Sequence, residues 1–327
     1  MNGGEPLLFV LSATRAFGEQ IAVALGQPVA EHEERVFEDG EQKARPLVNV
    51  RGRDAFVIQS LHGAPEASVH DKLCRLLFFI GGLKDAAAAR VTAVVPYLCY
   101  ARKDRKTKPR DPVTNRYVAA LFDAVGTDHV VTLEVHNLAA YQNAYRHAEH
   151  LEARALFVRY FAPLLTKDEV AVVSPDVGGA KRSDALREAL AAALGRPLAA
   201  AFVEKQRSSG VVSGEAVVGD VRGRVAIIVD DLIATGTTMV KAARACRDLG
   251  ATRVFAAASH GLFTGDADRV LADDAVDRIV VTNTVPPVRL REPAVLGKIE
   301  TLDAAPLFAE AIRRMHEGGS LTELLEP

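Results

Sequence analysis

The chain has 327 residues, which at roughly 150 residues per domain suggests about two domains. Apolar residues make up 49% of it and charged residues 25%, a balance that excludes a wholly disordered chain. With 40 basic and 42 acidic side chains the net charge is -2, which speaks against a dedicated nucleic-acid binder, whose phosphate contacts normally demand a basic excess, and leaves room for local basic clusters. Aromatic residues are scarce and Trp is absent, so the core has to be built from Ala, Val, Leu and Ile. Cys74, Cys99 and Cys246 are odd in number and far apart, with neither a disulfide framework nor metal-type spacing, as expected in a reducing compartment. Residues Met1 to Val10 carry no basic n-region, and the apolar stretches are broken by Lys72, Arg75 or Arg196. Neither a signal peptide nor a membrane span is expected, and a cytoplasmic protein is.

Short β-branched runs alternate with longer helical patterns along the chain. Strands are predicted at Leu7–Leu11, Ala55–Gln59, Val91–Val95, Val130–Val135, Val170–Val173, Ala199–Val203, Val225–Val229, Val254–Ala258 and Ile279–Thr282. Helices are predicted at Thr14–Leu25, Glu66–Leu83, Pro112–Val125, Ala153–Leu165, Val177–Leu194, Thr235–Leu249 and Ala304–His316. The run Val225–Val229 is apolar on both faces, as a strand covered by helices on each side requires. The Ala-rich stretch Ala185–Ala201 reads as a buried helix and the strand after it. Alternation of this kind predicts an α/β fold with mainly parallel sheets flanked by helices. Such sheets bind ligands beyond the carboxyl ends of their strands. A polar stretch from Asn143 to Glu152 marks a boundary, giving domains over 1–150 and 151–327, with the last helix returning to the first domain.

Chemistry concentrates just after the strands. Val225–Val229 runs into Asp230 and Asp231, then Ala234, Thr235, Gly236, Thr237 and Thr238 open a helix. Glycine there lets backbone approach a ligand, and Thr hydroxyls with helix N-terminal amides offer donors to a phosphate. The acidic pair fits ribose hydroxyls or a metal-bound sugar. Asp39, Gly40 and Glu41 form a tight Asp-Gly turn behind Phe37. The segment from Arg102 to Arg116 sets Arg102, Lys103, Arg105, Lys106, Lys108, Arg110 and Arg116 against only Asp104 and Asp111. His136 and Asp176 each follow a strand. Lys205 and Arg207 lie on a polar loop beyond Val203, on one side of an extended chain.

The stretch from Val225 to Thr238 resembles the phosphoribosyl-pyrophosphate (PRPP) motif of phosphoribosyltransferases and PRPP synthetases. From Arg35 almost to the C-terminus, the chain resembles the ribose-phosphate pyrophosphokinases. The likeness runs through Phe37–Glu41, Asn49–Asp54, Val95–Tyr97, Tyr100–Arg105, Val173–Gly179 and Ala258–Phe263. It implies two phosphoribosyltransferase-like domains, each a mainly parallel sheet flanked by helices, that make PRPP and AMP from ATP and ribose 5-phosphate with Mg²⁺. It implies ATP contacts at Phe37, Asp39, Gly40, Glu41, Arg102, Lys103 and Asp104. Ribose 5-phosphate would be held by Arg207, Asp230, Asp231, Ala234, Thr235, Gly236, Thr237 and Thr238. Lys205 and Arg207 would be catalytic, with the metal on His136 and Asp176. It implies a homo-oligomer built from dimers, up to a hexamer, whose Phe37–Glu41 turn reaches a neighbour's ATP; no nucleic acid or membrane partner is implied.

This chain departs from the family pattern at several points. Residues Asn137–Gln142 replace an acidic and glutamine-containing stretch, and Glu134 an Asp. Gln206 stands for a basic residue, Ala234 for a third Asp and Thr237 for Gly. Two rival readings are a non-catalytic regulatory partner of an active synthetase and a transferase that consumes PRPP.

Overall fold

The computed structural model describes residues 4–208 and 211–325, leaving aside the side chains of 205–216. The chain divides into two compact units. One runs from the N-terminus to Glu152 and resumes at Ala304; the other is Ala153–Asp303.

The first unit begins with β1 (Leu7–Val10) and α1 (Arg15–Leu25), then a hairpin of β2 (His32–Val36) and β3 (Gln42–Pro46). It continues with β4 (Asp54–Ile58), α2 (Val69–Asp85), β5 (Arg90–Val94), α3 (Thr114–Ala124), β6 (His129–Leu133), α4 (Leu138–Ala144) and β7 (Ala148–Leu151). Among the described residues the main sheet has five strands in the order β1-β4-β5-β6-β7, all parallel. Its central strands are mainly apolar and, apart from the first residues of β5 and β6, buried along their length, the burial expected of a parallel sheet between helix layers. Ser68 and Asp71 close a capping box at the start of α2, satisfying amides that would otherwise be orphaned there.

The second unit holds α5 (Arg154–Leu164), β8 (Val170–Ser174), α6 (Ala180–Leu194), β9 (Ala199–Ser208), β10 (Val211–Gly219), β11 (Val225–Ile233) and α7 (Thr237–Asp248). After these come β12 (Arg253–Gly261), α8 (Ala267–Leu271), β13 (Arg278–Thr282), α9 (Pro293–Leu296) and β14 (Ile299–Leu302). The sheet order among the described residues is β10-β9-β8-β11-β12-β13-β14, parallel except for the edge strand β10. From β8 the chain moves outward to β9, and from β11 it moves the opposite way to β12. The order therefore reverses between β8 and β11, and a crevice opens at their carboxyl ends, where open α/β sheets bind ligands.

Two features differ from the sequence reading. Helix α6 is not buried all round: Ser183, Leu186 and Leu190 form its one buried stripe, because Ala on the other faces tolerates water as readily as core. Strand β11 extends through Asp230 and Asp231 to Ile233, pairing there with β12, so the acidic pair lies within a strand and the helix starts at Thr237.

The C-terminal helices α10 (Ala305–Glu317) and α11 (Thr322–Leu325) follow. Helix α10 packs on α1 of the first unit, where Phe308 meets Phe17 edge-on at 5.7 Å. A buried carboxylate locks it: Asp54, 2% exposed, accepts from Arg90 Nε at 2.8 Å and meets His316 Nδ1 at 2.7 Å, while Arg90 also donates to the Met315 carbonyl. Phe308 is fully buried, so Phe308→Ala is expected to cost about 3–5 kcal/mol by cavity formation. Denaturant titration checks this; a midpoint unchanged from the unaltered protein contradicts it.

Candidate active site

The crevice of the second unit is built by strand ends. Register pairs Val173 of β8 with Ile228 of β11, so the segment carrying Asp176 leaves β8 next to the part of β11 that holds Asp230. Asp231 is buried and Asp230 half-buried. The Asp231 amide donates to Asp230 Oδ1 at 2.8 Å, and Arg182 Nη1 on α6 reaches Asp230 Oδ1 at 3.3 Å and Asp231 Oδ1 at 3.8 Å. One guanidinium thus faces two neighbouring carboxylates. Burial, with the adjacent Asp231 second, pushes Asp230 up to about 7 from its ordinary 3.8, and Arg182 pulls the other way without prevailing.

Beyond β11 the turn at Gly236 needs glycine. Its φ is +81°, and a Cβ would sit 2.4 Å from Leu271 Cδ2. Thr235, Thr237 and Thr238 are exposed around it, with Thr235 and Thr237 hydroxyls 3.0 Å apart, at the amino end of the twelve-residue α7. The Ala234 carbonyl accepts from Thr264, anchoring the turn to the segment after β12. The arrangement offers hydroxyls, amides and a helix dipole to a phosphate, and carboxylates to sugar hydroxyls.

Asp176 is exposed, and its Oδ1 caps the short turn Val177–Gly179 by accepting from Gly179 at 3.0 Å. Among the described residues, no group of three or more His, Cys, Asp or Glu could hold a metal ion. An ion here would draw most ligands from water and substrate oxygens, the habit of Mg²⁺. Lys205 and Arg207 fall where side chains lie outside the described residues. Their backbone belongs to β9, paired antiparallel with β10 as far as Ser208, and not to a loop after Val203.

In the first unit, the Phe37–Glu41 turn is the tip of the β2–β3 hairpin. Phe37 and Glu41 share a backbone hydrogen bond, Glu41 N donates to Asp39 Oδ1, and Gly40 takes φ +89°. Arg35, two residues before Phe37 on the same strand face, lies over its ring at 4.7 Å. The hairpin is fastened by Glu34, which accepts from Ser12 twice, from Arg75 and from His32. Burial raises the Glu34 carboxyl, and these donors outweigh it, leaving it below the usual range.

The nucleotide candidates follow β5. Arg102 is exposed, but Lys103 Nζ is paired with Asp111 at 2.8 Å. The same Asp111 oxygen accepts from Thr107 N, Thr107 Oγ1 and Lys108 N, which ties the basic segment into a defined loop. Lys103 and Thr107 hold this carboxyl far below its usual range. Asp104 accepts from Asn137, and His136 is exposed after β6. Arg182 and Asp111 carry roles missed in sequence; the Arg three residues after Gly179 and an Asp late in a basic run were the available signals.

A model of the N-terminal domain of ribose phosphate pyrophosphokinase matches residues 7–126, and one of the phosphoribosyl synthetase-associated domain matches residues 201–326. The ribose-phosphate pyrophosphokinase of Caldanaerobacter subterraneus subsp. tengcongensis is 39% identical over 97% of this chain and 96% of its own length. The chain belongs to the ribose-phosphate pyrophosphokinase family. That of Clostridium perfringens is 36% identical over 98% and 97%. A crystal structure of phosphoribosylpyrophosphate synthetase from Mycobacterium smegmatis superposes with a TM-score of 0.86 at 34% identity, covering 97% of this chain and all of that one. Both phosphoribosyltransferase-like domains of the family are therefore present, and the chain is an enzyme of PRPP synthesis. A transferase that consumes PRPP and a non-catalytic partner are both set aside by this.

The raised Asp230 has a thermodynamic consequence. A carboxyl that binds its proton more tightly folded than unfolded contributes stability fully below about pH 4, and this is lost as pH rises through about 7. Asp230→Asn cannot ionise, so its melting temperature should match the unaltered protein near pH 4 and exceed it near pH 8. Calorimetric melts across that range check this; a difference independent of pH contradicts it.

Proposed function

We propose that the chain carries out PRPP synthesis by moving the diphosphoryl group of ATP to ribose 5-phosphate with Mg²⁺ bound. The 1-hydroxyl oxygen of the sugar bonds to the β-phosphorus, the bond from that phosphorus to the bridging oxygen of AMP breaks, and the hydroxyl proton passes to solvent. The observation that carries this is the switch-point crevice, where a carboxylate pair and a phosphate-type turn stand beside Asp176 in a chain matched over its length by this family.

Asp230 and Asp231 orient the ribose hydroxyls, and Ala234, Thr235, Gly236, Thr237 and Thr238 cradle the 5-phosphate with Arg207. Phe37 packs on adenine, while Asp39, Gly40, Glu41, Arg102, Lys103 and Asp104 complete the nucleotide site. Asp176 and His136 would hold Mg²⁺, which supplies charge neutralisation on the phosphate oxygens. Asp176 fits that role, with Oδ1 spent on Gly179 and an exposed carboxylate otherwise directed to solvent. No covalent intermediate is needed, so positioning and electrostatics carry the rate. The hairpin tip acts on a neighbouring subunit in a homo-oligomer built from dimers, and the enzyme works in the cytoplasm.

Incubation with ATP, ribose 5-phosphate and Mg²⁺ should yield AMP and PRPP in equal amounts, and a chelator should abolish both until Mg²⁺ is restored. ADP in place of AMP, or no turnover, contradicts the proposal. Lys205 is assigned to charge that develops only as the bond to AMP breaks. Lys205→Ala should therefore lose about a hundred- to a thousand-fold in kcat while calorimetric binding of ribose 5-phosphate stays nearly intact. Unchanged kcat with a raised KM would make Lys205 a binding residue.

A further inference from the structure

The stretch 137–142 departs from the family pattern, yet its first residue makes one of the shortest side-chain contacts of the nucleotide loop. Asn137 Oδ1 accepts from the Ala140 amide at 3.2 Å, capping α4, and its Nδ2 donates to Asp104 Oδ2 at 2.7 Å. A second asparagine also links this loop to α4. Asn115, 2% exposed on α3, donates its backbone amide to the Lys103 carbonyl at 3.2 Å and its Nδ2 to the Ala140 carbonyl at 3.1 Å. The asparagines therefore meet the Ala140 amide and carbonyl respectively, and each holds one of two consecutive loop residues, Lys103 and Asp104.

We infer that Asn137 is a positioning residue for nucleotide binding, clasping Asp104 to the start of α4 so that the loop carrying Arg102 and Lys103 is held in place. An amide suits this place because it satisfies the Asp104 carboxylate without bringing a further charge to a loop already dense in cations. With the clasp gone, that carboxylate is left to pair with the cations beside it, Arg102 and Arg105, and to offset the charge meant for phosphate. The inference rests on the nucleotide reading of this loop.

Three variants test it in steady-state assays that vary ATP and ribose 5-phosphate separately. Asn137→Ala should raise KM for ATP roughly three- to tenfold, the scale on which one partly exposed hydrogen bond to a charged group matters, and leave KM for ribose 5-phosphate unchanged. Asn137→Asp keeps an equally good helix cap but sets two carboxylates face to face, so its KM for ATP should rise at least as far while its melting temperature stays put. On an Asp104→Ala background, Asn137→Ala should add nothing, because both changes break one contact. Recovery of KM in Asn137→Asp would reduce Asn137 to a helix cap, and additive losses in the double variant would mean that the residues act apart; either overturns the inference. The unaltered protein is assayed alongside. If it shows no saturable use of ATP the nucleotide reading fails, whereas normal use by it and by Asn137→Ala removes the clasp alone.

Discussion

Two carboxylates within one buried strand, with the Arg182 guanidinium facing both of them, are the constraint on which the second unit depends. Like charges so close cannot both ionise cheaply in a half-buried crevice, and one arginine cannot neutralise both. The protein meets this by letting Asp230 hold its proton up to about 7, while Arg182 on α6 spans the pair. The sheet order makes the crevice: β8 and β11 feed neighbours on opposite sides, the place where open α/β sheets bind ligands. In our account a ribose whose hydroxyls donate to the pair favours the charged form, so sugar binding and proton release are one event.

The first unit solves a related problem with fixed partners in place of a shared proton. Glu34 gathers Ser12, His32 and Arg75 to seat the hairpin, and Asp111 gathers Lys103, Thr107 and Lys108 to shape the basic loop. Glu34 divides its donors between both oxygens and Asp111 takes them all on one, so in each case a single ionised group sets the course of a loop or hairpin. Such loops carry little apolar contact of their own, and charge-assisted hydrogen bonds take its place.

Much of this was legible in the residues. Val225–Val229 announced a buried strand, its two Asp and the Thr-Gly turn marked a candidate site, and the alternation of strands and helices announced parallel sheets. The extension of β11 to Ile233 was not legible, because Asp230 and Asp231 break the apolar run that marks a strand, and pairing with β12 overrides that local signal. Strands β7 and β14 are four residues each and too mixed to show a period. Arg182 was invisible for a different reason: helix spacing shows which face a residue occupies, but only the fold brings that face over a strand 48 residues away. Asn137 stood out as a departure from the family pattern, and its contact with Asp104, 33 residues earlier, needed coordinates.

The most direct measurement is the titration of the Asp230 carboxyl by carbon-13 NMR, with and without ribose 5-phosphate. Our account predicts a midpoint near 7 in the free protein that falls clearly once the sugar binds, and rises further in Arg182→Met. A midpoint in the ordinary carboxylate range in the free protein, or one that ribose 5-phosphate does not move, would contradict it.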